Sequence, residues 1–364
     1  MGNNILRTIT IAVLFVFITA INIDPKEIDR EPLSNAYKDF IHLNLPEKIL
    51  STIESDYRAL QKLDNNGMLS DSSYHIKAQD LVDFMGANNP VLINHEILFV
   101  ERDQYVRDHH NTATIFQKGE INESSFRGGA AMKAVNLATK QERAIIETKD
   151  GMIRDPEISY DGRKIVFSYR KNIDDDYHIY EINVDGSELD QLTFQMGVSD
   201  IDPYYLPDGN ILFSSTREYK FCMCNRHIMA NLYRMESDGA NITQIGKSTL
   251  FEGHSSVLND GRILYDRWEY VDRNFGDAQG LWTVNPDGTN HAIYYGNNTS
   301  SPGGIIDARA IPNSNKVICI FSSCHDRPWG AIAVLDRRYG IDGKDGVSQI
   351  WPKYARNLIG IGNW

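Results

Sequence analysis

The sequence predicts an all-β fold assembled from repeated four-stranded units. Three observations carry that prediction: a strand pattern recurring roughly every 50 residues, an Asp-Gly turn closing the hairpins of each copy, and short apolar runs. In one copy Asp155-Pro156 leads through Asp161-Gly162 into Lys164-Ile165-Val166-Phe167-Ser168-Tyr169-Arg170. In the next, Asp202-Pro203 leads through Asp208-Gly209 into Ile211-Leu212-Phe213-Ser214-Ser215-Thr216-Arg217. In the third, His254 leads through Asp260-Gly261 into Ile263-Leu264-Tyr265-Asp266-Arg267. Each copy then runs through a further apolar stretch to a second turn, at Asp185-Gly186, Asp238-Gly239 and Asp287-Gly288.

Look-alike units of about four short strands are the signature of β-propeller blades. Five are legible across residues 91–364. The first joins Ile97–Val100 to Met132–Ala138, and the fifth runs from Ile305 through Lys316–Phe321 to Ala331–Leu335. The Asp-Gly pairs have a structural task. A tight hairpin needs positive φ, which Gly adopts freely and Asp or Asn tolerates. Propellers close their ring to protect strand edges. Residues 359–364 read as the start of another innermost strand, so six or more blades are expected in a longer protein. Closure by the N-terminal segment is the competing expectation.

Residues 24–90 form a helical lead-in of different texture. Pro46-Glu47 reads as a helix start, Ile49, Leu50, Ile53, Tyr57 and Leu60 follow at helical spacing, and Asn65-Asn66-Gly67 stops the run. A second helix is expected over Ile76–Met85, ended by Gly86. Residues 1–23 read as an export signal. Arg7 precedes an apolar stretch from Thr8 to Ala20 that is short for a bilayer span of about 20 residues, and Ile18-Thr19-Ala20 offers a cleavage site. An uncleaved anchor is the alternative. The expected location is periplasmic or extracellular, with no other membrane segment.

A net charge of −12 and the lack of a Lys/Arg block exclude a nucleic-acid partner. No serine-hydrolase elbow, phosphate-binding glycine loop or dinucleotide fingerprint occurs. Partners are therefore expected among small molecules, saccharides and proteins.

Several segments together resemble a known family. The 202–217 pattern is similar to the TolB-type, WD40-like propeller repeat. Asn231–Met235, Arg262–Val271, Gly280–Thr289 and Tyr295–Asn298 resemble the middle domain of the hydrazine synthase alpha subunit family, over residue 91 to the end. The resemblance implies a propeller acting as a binding or scaffold domain. Hydrazine synthase proper carries c-type haem, which needs Cys-x-x-Cys-His, and this chain has no such motif. Haem-dependent hydrazine synthesis is not expected of it.

Propeller geometry gathers distant loops onto one face, so candidate groups are sought there. Cys222, Cys224, His227, Cys324 and His325 form a mixed thiolate and imidazole set, for which Zn²⁺ is the natural metal. A disulfide between the loops is the alternative, as are cysteines acting as small buried hydrophobes, Cys319 included. His109, His110, His254, Arg127, Arg217, Arg267 and Arg327 are ligand-face candidates. Asp155, Asp202, Asp266 and Asp307 join them near strand ends, either as a polar binding floor or as fasteners between blades. A metal-assisted or saccharide-active enzyme on this face is the competing class to a binding domain.

Overall fold

The structure, a computed structural model, describes residues 31–43, 45–103, 126–221, 228–269, 279–297, 299, 302–322 and 330–359. The chain divides into two compact units, one of Thr10–Phe99 with Met132–Ile145 and one of Met1–Ile9, Val100–Ala131 and Ile146–Trp364.

The first unit carries three helices, α1 (Glu31–Ile41), α2 (Glu47–Asn65) and α3 (Asp71–Ala87). α2 begins after Pro46 and buries Ile53, Tyr57 and Leu60 on one face. α3 starts five residues before the expected Ile76, because the Ser70 hydroxyl accepts from the Ser73 N–H at 3.3 Å and caps the first turn. α1 was not expected from the sequence. It adds Leu33 and Phe40 to a core shared with Tyr74, Leu81 and Met85, and Tyr37 stacks on Tyr57 with centroids 3.9 Å apart.

Strands β1 (Glu96–Arg102), β2 (Ala130–Asn136) and β3 (Gln141–Thr148) form a three-stranded sheet. Among the described residues it is one strand short of the expected four. The later copies keep the full count. β4 (Met152–Ile158), β5 (Lys164–Arg170), β6 (His178–Asn183) and β7 (Asp190–Gln191) make one antiparallel meander. β8 (Asp200–Tyr205), β9 (Ile211–Ser215), β10 (Asn231–Met235) and β11 (Thr243–Gln244) make the next. β12 (Glu252–Val257), β13 (Ile263–Trp268), β14 (Gln279–Val284) and β15 (Ala292–Tyr295) make a third. β16 (Gly304–Ala310), β17 (Lys316–Ser322), β18 (Gly330–Asp336) and β19 (Val347–Trp351) make a fourth. The last two join into one eight-stranded sheet through a single parallel bridge, Gln279 to Gly304.

The four-stranded sheets pack face to face in chain order, and the period-2 alternation of strands decides which side chain faces which neighbour. Ile211 and Phe213 of β9 face back onto Val166 and Ile179, whereas Leu212 between them faces forward onto Ile263, Tyr265 and Val284. Leu264 and Leu281 repeat the move onto Ile305, Val317 and Phe321. The central Ile211-Leu212-Phe213 run of β9 is therefore apolar on both faces, which is why it reads as continuous Ile, Leu and Phe.

The Asp-Gly turns are built identically six times. Gly162, Gly186, Gly209, Gly239, Gly261 and Gly288 take φ between +73° and +89°, and each N–H closes the turn onto the carbonyl three residues back at 2.8–3.0 Å. The Asp beside each Gly is absent from the positive-φ residues. Its carboxylate instead accepts the N–H two residues on, at 2.9–3.1 Å. Asp thus serves as a side-chain cap rather than as a carrier of unusual φ, correcting the sequence expectation.

Candidate functional site

At the other end of the innermost strands the same four-fold repetition produces a different result. Asp155, Asp202, His254 and Asp307 occupy equivalent places in β4, β8, β12 and β16, and all four take φ between +46° and +53°. Each sits inside a β-bulge, where pairing slips between Arg154 and Glu157, Ile201 and Tyr204, Gly253 and Ser256, and Ile306 and Arg309. A non-glycine residue in this region costs on the order of 1 kcal/mol, least for Asp, Asn and His. Four such residues in register form a deliberate construction, and bulges are a recurrent means of re-aiming a side chain.

The strained residues are tied to one another across sheets. Asp155 Oδ2 accepts from Arg154 Nε at 2.5 Å, from Ser168 Oγ at 3.2 Å and from the Asp202 N–H at 3.4 Å. The Asp202 N–H also donates to Ser168 Oγ at 3.1 Å. Asp202 Oδ2 in turn accepts from the His254 N–H at 3.3 Å, and Arg154 stands 3.8 Å from its other oxygen. The fastener reading of these aspartates is therefore visible as bonds: each carboxylate holds the backbone of the next sheet.

Their electrostatics follow from crowding. Burial, and then the adjacent Asp155 carboxylate, push the Asp202 acid up to about 7. Burial also acts to raise Asp155, but the guanidinium of Arg154 outweighs it and holds that acid below its ordinary value. His254 is opposed by burial, yet Asp266, Asp202 and Asp307 together hold its pKa well above that of an ordinary histidine. Its Nδ1 lies 2.6 Å from the fully buried Asp266, whose second oxygen accepts from Gln279 Nε2 at 3.0 Å. No bond to Nε2 occurs among the described residues, and the side chain keeps 10% exposure. Asp307 is exposed.

Two residues further along three of these strands lies a second layer. Glu157, Tyr204 and Arg309 occupy this position in β4, β8 and β16. Arg309 Nη1 donates to Glu157 Oε2 at 3.0 Å, and its guanidinium lies 4.9 Å from the Tyr204 ring centroid. The innermost strands of the first and last four-stranded sheets are thereby joined, and this layer forms a floor beneath the charged rim. In β12 the same position is Ser256, whose hydroxyl donates to the Ala308 carbonyl at 2.6 Å.

Of the sequence candidates, the structure brings together Asp155, Asp202, His254, Asp266 and Asp307. It places two arginines in ion pairs within their own sheets. Arg217 bonds the buried Asp200 and stacks against Phe213, and Arg267 pairs with Glu269 at 2.7 Å and lies over Trp282. Arg127 donates to the Phe126 carbonyl at 2.9 Å. Cys319 forms no disulfide: it is buried in β17 among core residues, and burial pushes its thiol pKa up, as a small hydrophobe. Cys222, Cys224, His227, Cys324, His325, His109, His110 and Arg327 lie outside the described residues, as does the N-terminal segment 1–23. Among the described residues there is no cluster of His, Cys, Asp and Glu suited to a metal, and no helix long and apolar enough to cross a membrane. Sequence reading missed Arg154, Glu157, Tyr204 and Arg309. Their signal was the fixed offset from the strained residue, one before it or two after.

No protein-family model matches this chain, and no curated protein matches it. Among solved structures it is similar to hydrazine synthase of Kuenenia stuttgartiensis, with a TM-score of 0.53 and 19% identity over 68% of this chain and 38% of that one. It thus spans well under half of that protein's length. It is also similar to TolB from Acinetobacter baumannii (TM-score 0.43, 16% identity, 57% of this chain, 46% of that one). A putative TolB from Agrobacterium tumefaciens gives 0.44 and 13%, over 68% of this chain and 87% of that one. At 19% identity, the likeness to hydrazine synthase is one of fold alone: a propeller-type array of four-stranded antiparallel sheets.

Proposed function

We propose that this chain is an exported β-propeller binding domain whose ligand enters at the charged rim of the innermost strands. One observation carries the reading: four successive sheets place Asp, Asp, His and Asp in the same strained conformation at equivalent positions of their innermost strands. Two of the four fasten the sheets, and His254 and Asp307 remain to meet a ligand. Haem-dependent hydrazine synthesis is not part of the reading, because the attachment motif is missing from the sequence.

The test is a thermal-shift screen of the purified chain against monosaccharides, acidic oligosaccharides, polyamines, amino acids and organic acids. A binder is expected whose shift disappears in Asp307→Lys. The reading fails if nothing binds, or if every binder is indifferent to that substitution.

A second reading is an enzyme acting on saccharides through His254, favoured by the 2.6 Å hydrogen bond with which Asp266 orients the ring. Release of reducing ends from a polysaccharide by the native protein, and its loss in His254→Gln, would establish it. The set Cys222, Cys224, His227, Cys324 and His325 enters as a zinc site to be assayed: stoichiometric zinc lost in Cys224→Ser supports it, and metal-free protein discards it.

A further inference from the structure

We propose that the rim recognises the two ends of a free amino acid, its carboxylate on His254 and its ammonium on Asp307. This rests on the binding-domain reading above and narrows it to a ligand class.

The groups at the opening divide by what already occupies them. Asp155 Oδ2 is committed to Arg154, Ser168 and the Asp202 N–H, and Asp202 Oδ2 to the His254 N–H, with Arg154 3.8 Å from Asp202 Oδ1. His254 is different. Asp266 holds its Nδ1, so the ring is fixed, and Nε2 carries no bond among the described residues although the side chain is nine-tenths buried. A buried, oriented imidazolium N–H is a strong directional donor for a carboxylate. Asp307 occupies the matching strained slot in β16, beside Ala308 whose carbonyl accepts from Ser256 of the His254 strand at 2.6 Å, and is exposed.

The charge pattern rejects simpler ligands. A lone anion meets Asp155, Asp202 and Asp307, and a lone cation meets His254 and Arg154. A zwitterion satisfies both signs at once. Two residues along from the strained positions, the Glu157–Arg309 pair and Tyr204 tie β4, β8 and β16 together, which favours a small molecule over a chain threading between them.

The experiment uses the full chain and calorimetric titration with each of the twenty L-amino acids. Every binder is then compared with its amide, which keeps the ammonium alone, and with its deaminated acid, which keeps the carboxylate alone. At least one amino acid is expected to bind, with both single-charge analogues weaker by about tenfold or more. His254→Gln should weaken the amino acid by about tenfold and leave its amide unchanged, and Asp307→Asn should do the reverse for the deaminated acid. Circular dichroism of both variants checks that the sheets are intact. If the amide or the acid binds as tightly as the amino acid, the zwitterion proposal is overturned while a binding rim survives. If no amino acid binds, the proposal is overturned, and the remaining saccharides and polyamines decide the broader reading.

Discussion

The two ends of the innermost strands use the same ingredients, aspartate and positive φ, in opposite ways. At the turn end of β4, β8 and β12, Gly carries the unusual φ, Asp keeps an ordinary one, and the carboxylate bonds a backbone N–H two residues away, whereas after β16 Asn313 takes φ +58° itself. At the rim end, the Asp or His itself carries the unusual φ, and its bonds reach residues 47 and 52 positions distant. The turn end solves a local folding problem independently in each sheet, and the same Asp-Gly device recurs between the third and fourth strands at Gly186, Gly239 and Gly288. The rim end stores strain to hold side chains in one place, and the sheets must be assembled before the bonds from Asp155 to the Asp202 N–H and from Asp202 to the His254 N–H exist. Non-glycine residues also take positive φ in turns and loops, at Lys140, Glu188, Asn241, Asn290 and Asn313, so what marks the rim is that its four strained residues sit in matching bulges of successive sheets.

Substitutions can break this contrast, and the largest effect is expected at the rim. Asp266→Ala removes the partner of a buried imidazolium, and should cost about 3–5 kcal/mol in denaturant unfolding. An effect below about 1 kcal/mol would show that Asp266 does not hold a charged ring. Next comes the backbone itself. Gly209 has φ +87° and open space where a Cβ would go, so Gly209→Ala should cost about 1–2 kcal/mol from conformation alone. The mirror experiment, Asp307→Gly, should stabilise the fold by up to about 1 kcal/mol while removing a ligand-facing carboxylate. Were both to destabilise equally, the rim would be ordinary structure.

Titration sharpens the contrast further. Both Asp202 and His254 have folded pKa values raised above their ordinary ones. Each therefore favours folding when protonated. The contribution of Asp202 is complete below about pH 4 and lost as pH rises through about 7, and that of His254 is complete below about 6.5 and lost only above that. Asp202→Asn mimics the protonated acid and keeps an acceptor for the His254 N–H. Native protein should lose stability relative to this variant between pH 4 and about 7, a trend readable from denaturation midpoints at each pH. A constant difference would mean that Asp202 titrates normally. The smallest effect belongs to the turns: Asp238→Ala deletes one exposed bond to the Ala240 N–H and should cost about 0.5 kcal/mol.

The same contrast explains what could be read from the sequence. Asp-Gly turns and alternating strands were legible because their physics is contained within a few consecutive residues. Asp155, Asp202, His254 and Asp307 could be aligned by their place before each turn, but nothing local says that Asp202 holds the backbone of His254. Arg309 and Glu157 were invisible as a pair because a salt bridge across 152 positions leaves no pattern in either strand. Conversely, Arg217 looked available for a ligand because its partner Asp200 lies 17 positions away on the neighbouring strand, whereas the partner of Arg267, Glu269, stood two residues on in plain sight.

The Glu157–Arg309 tie also sets an order of events. Synthesis proceeds from the N-terminus, so β4 leaves the ribosome long before β16 exists to meet it. Until then Glu157 has no cation from that strand, and burying its charge would be costly. A contact of such long range is expected among the last to form, and the chain's own acid acts as a placeholder until it does.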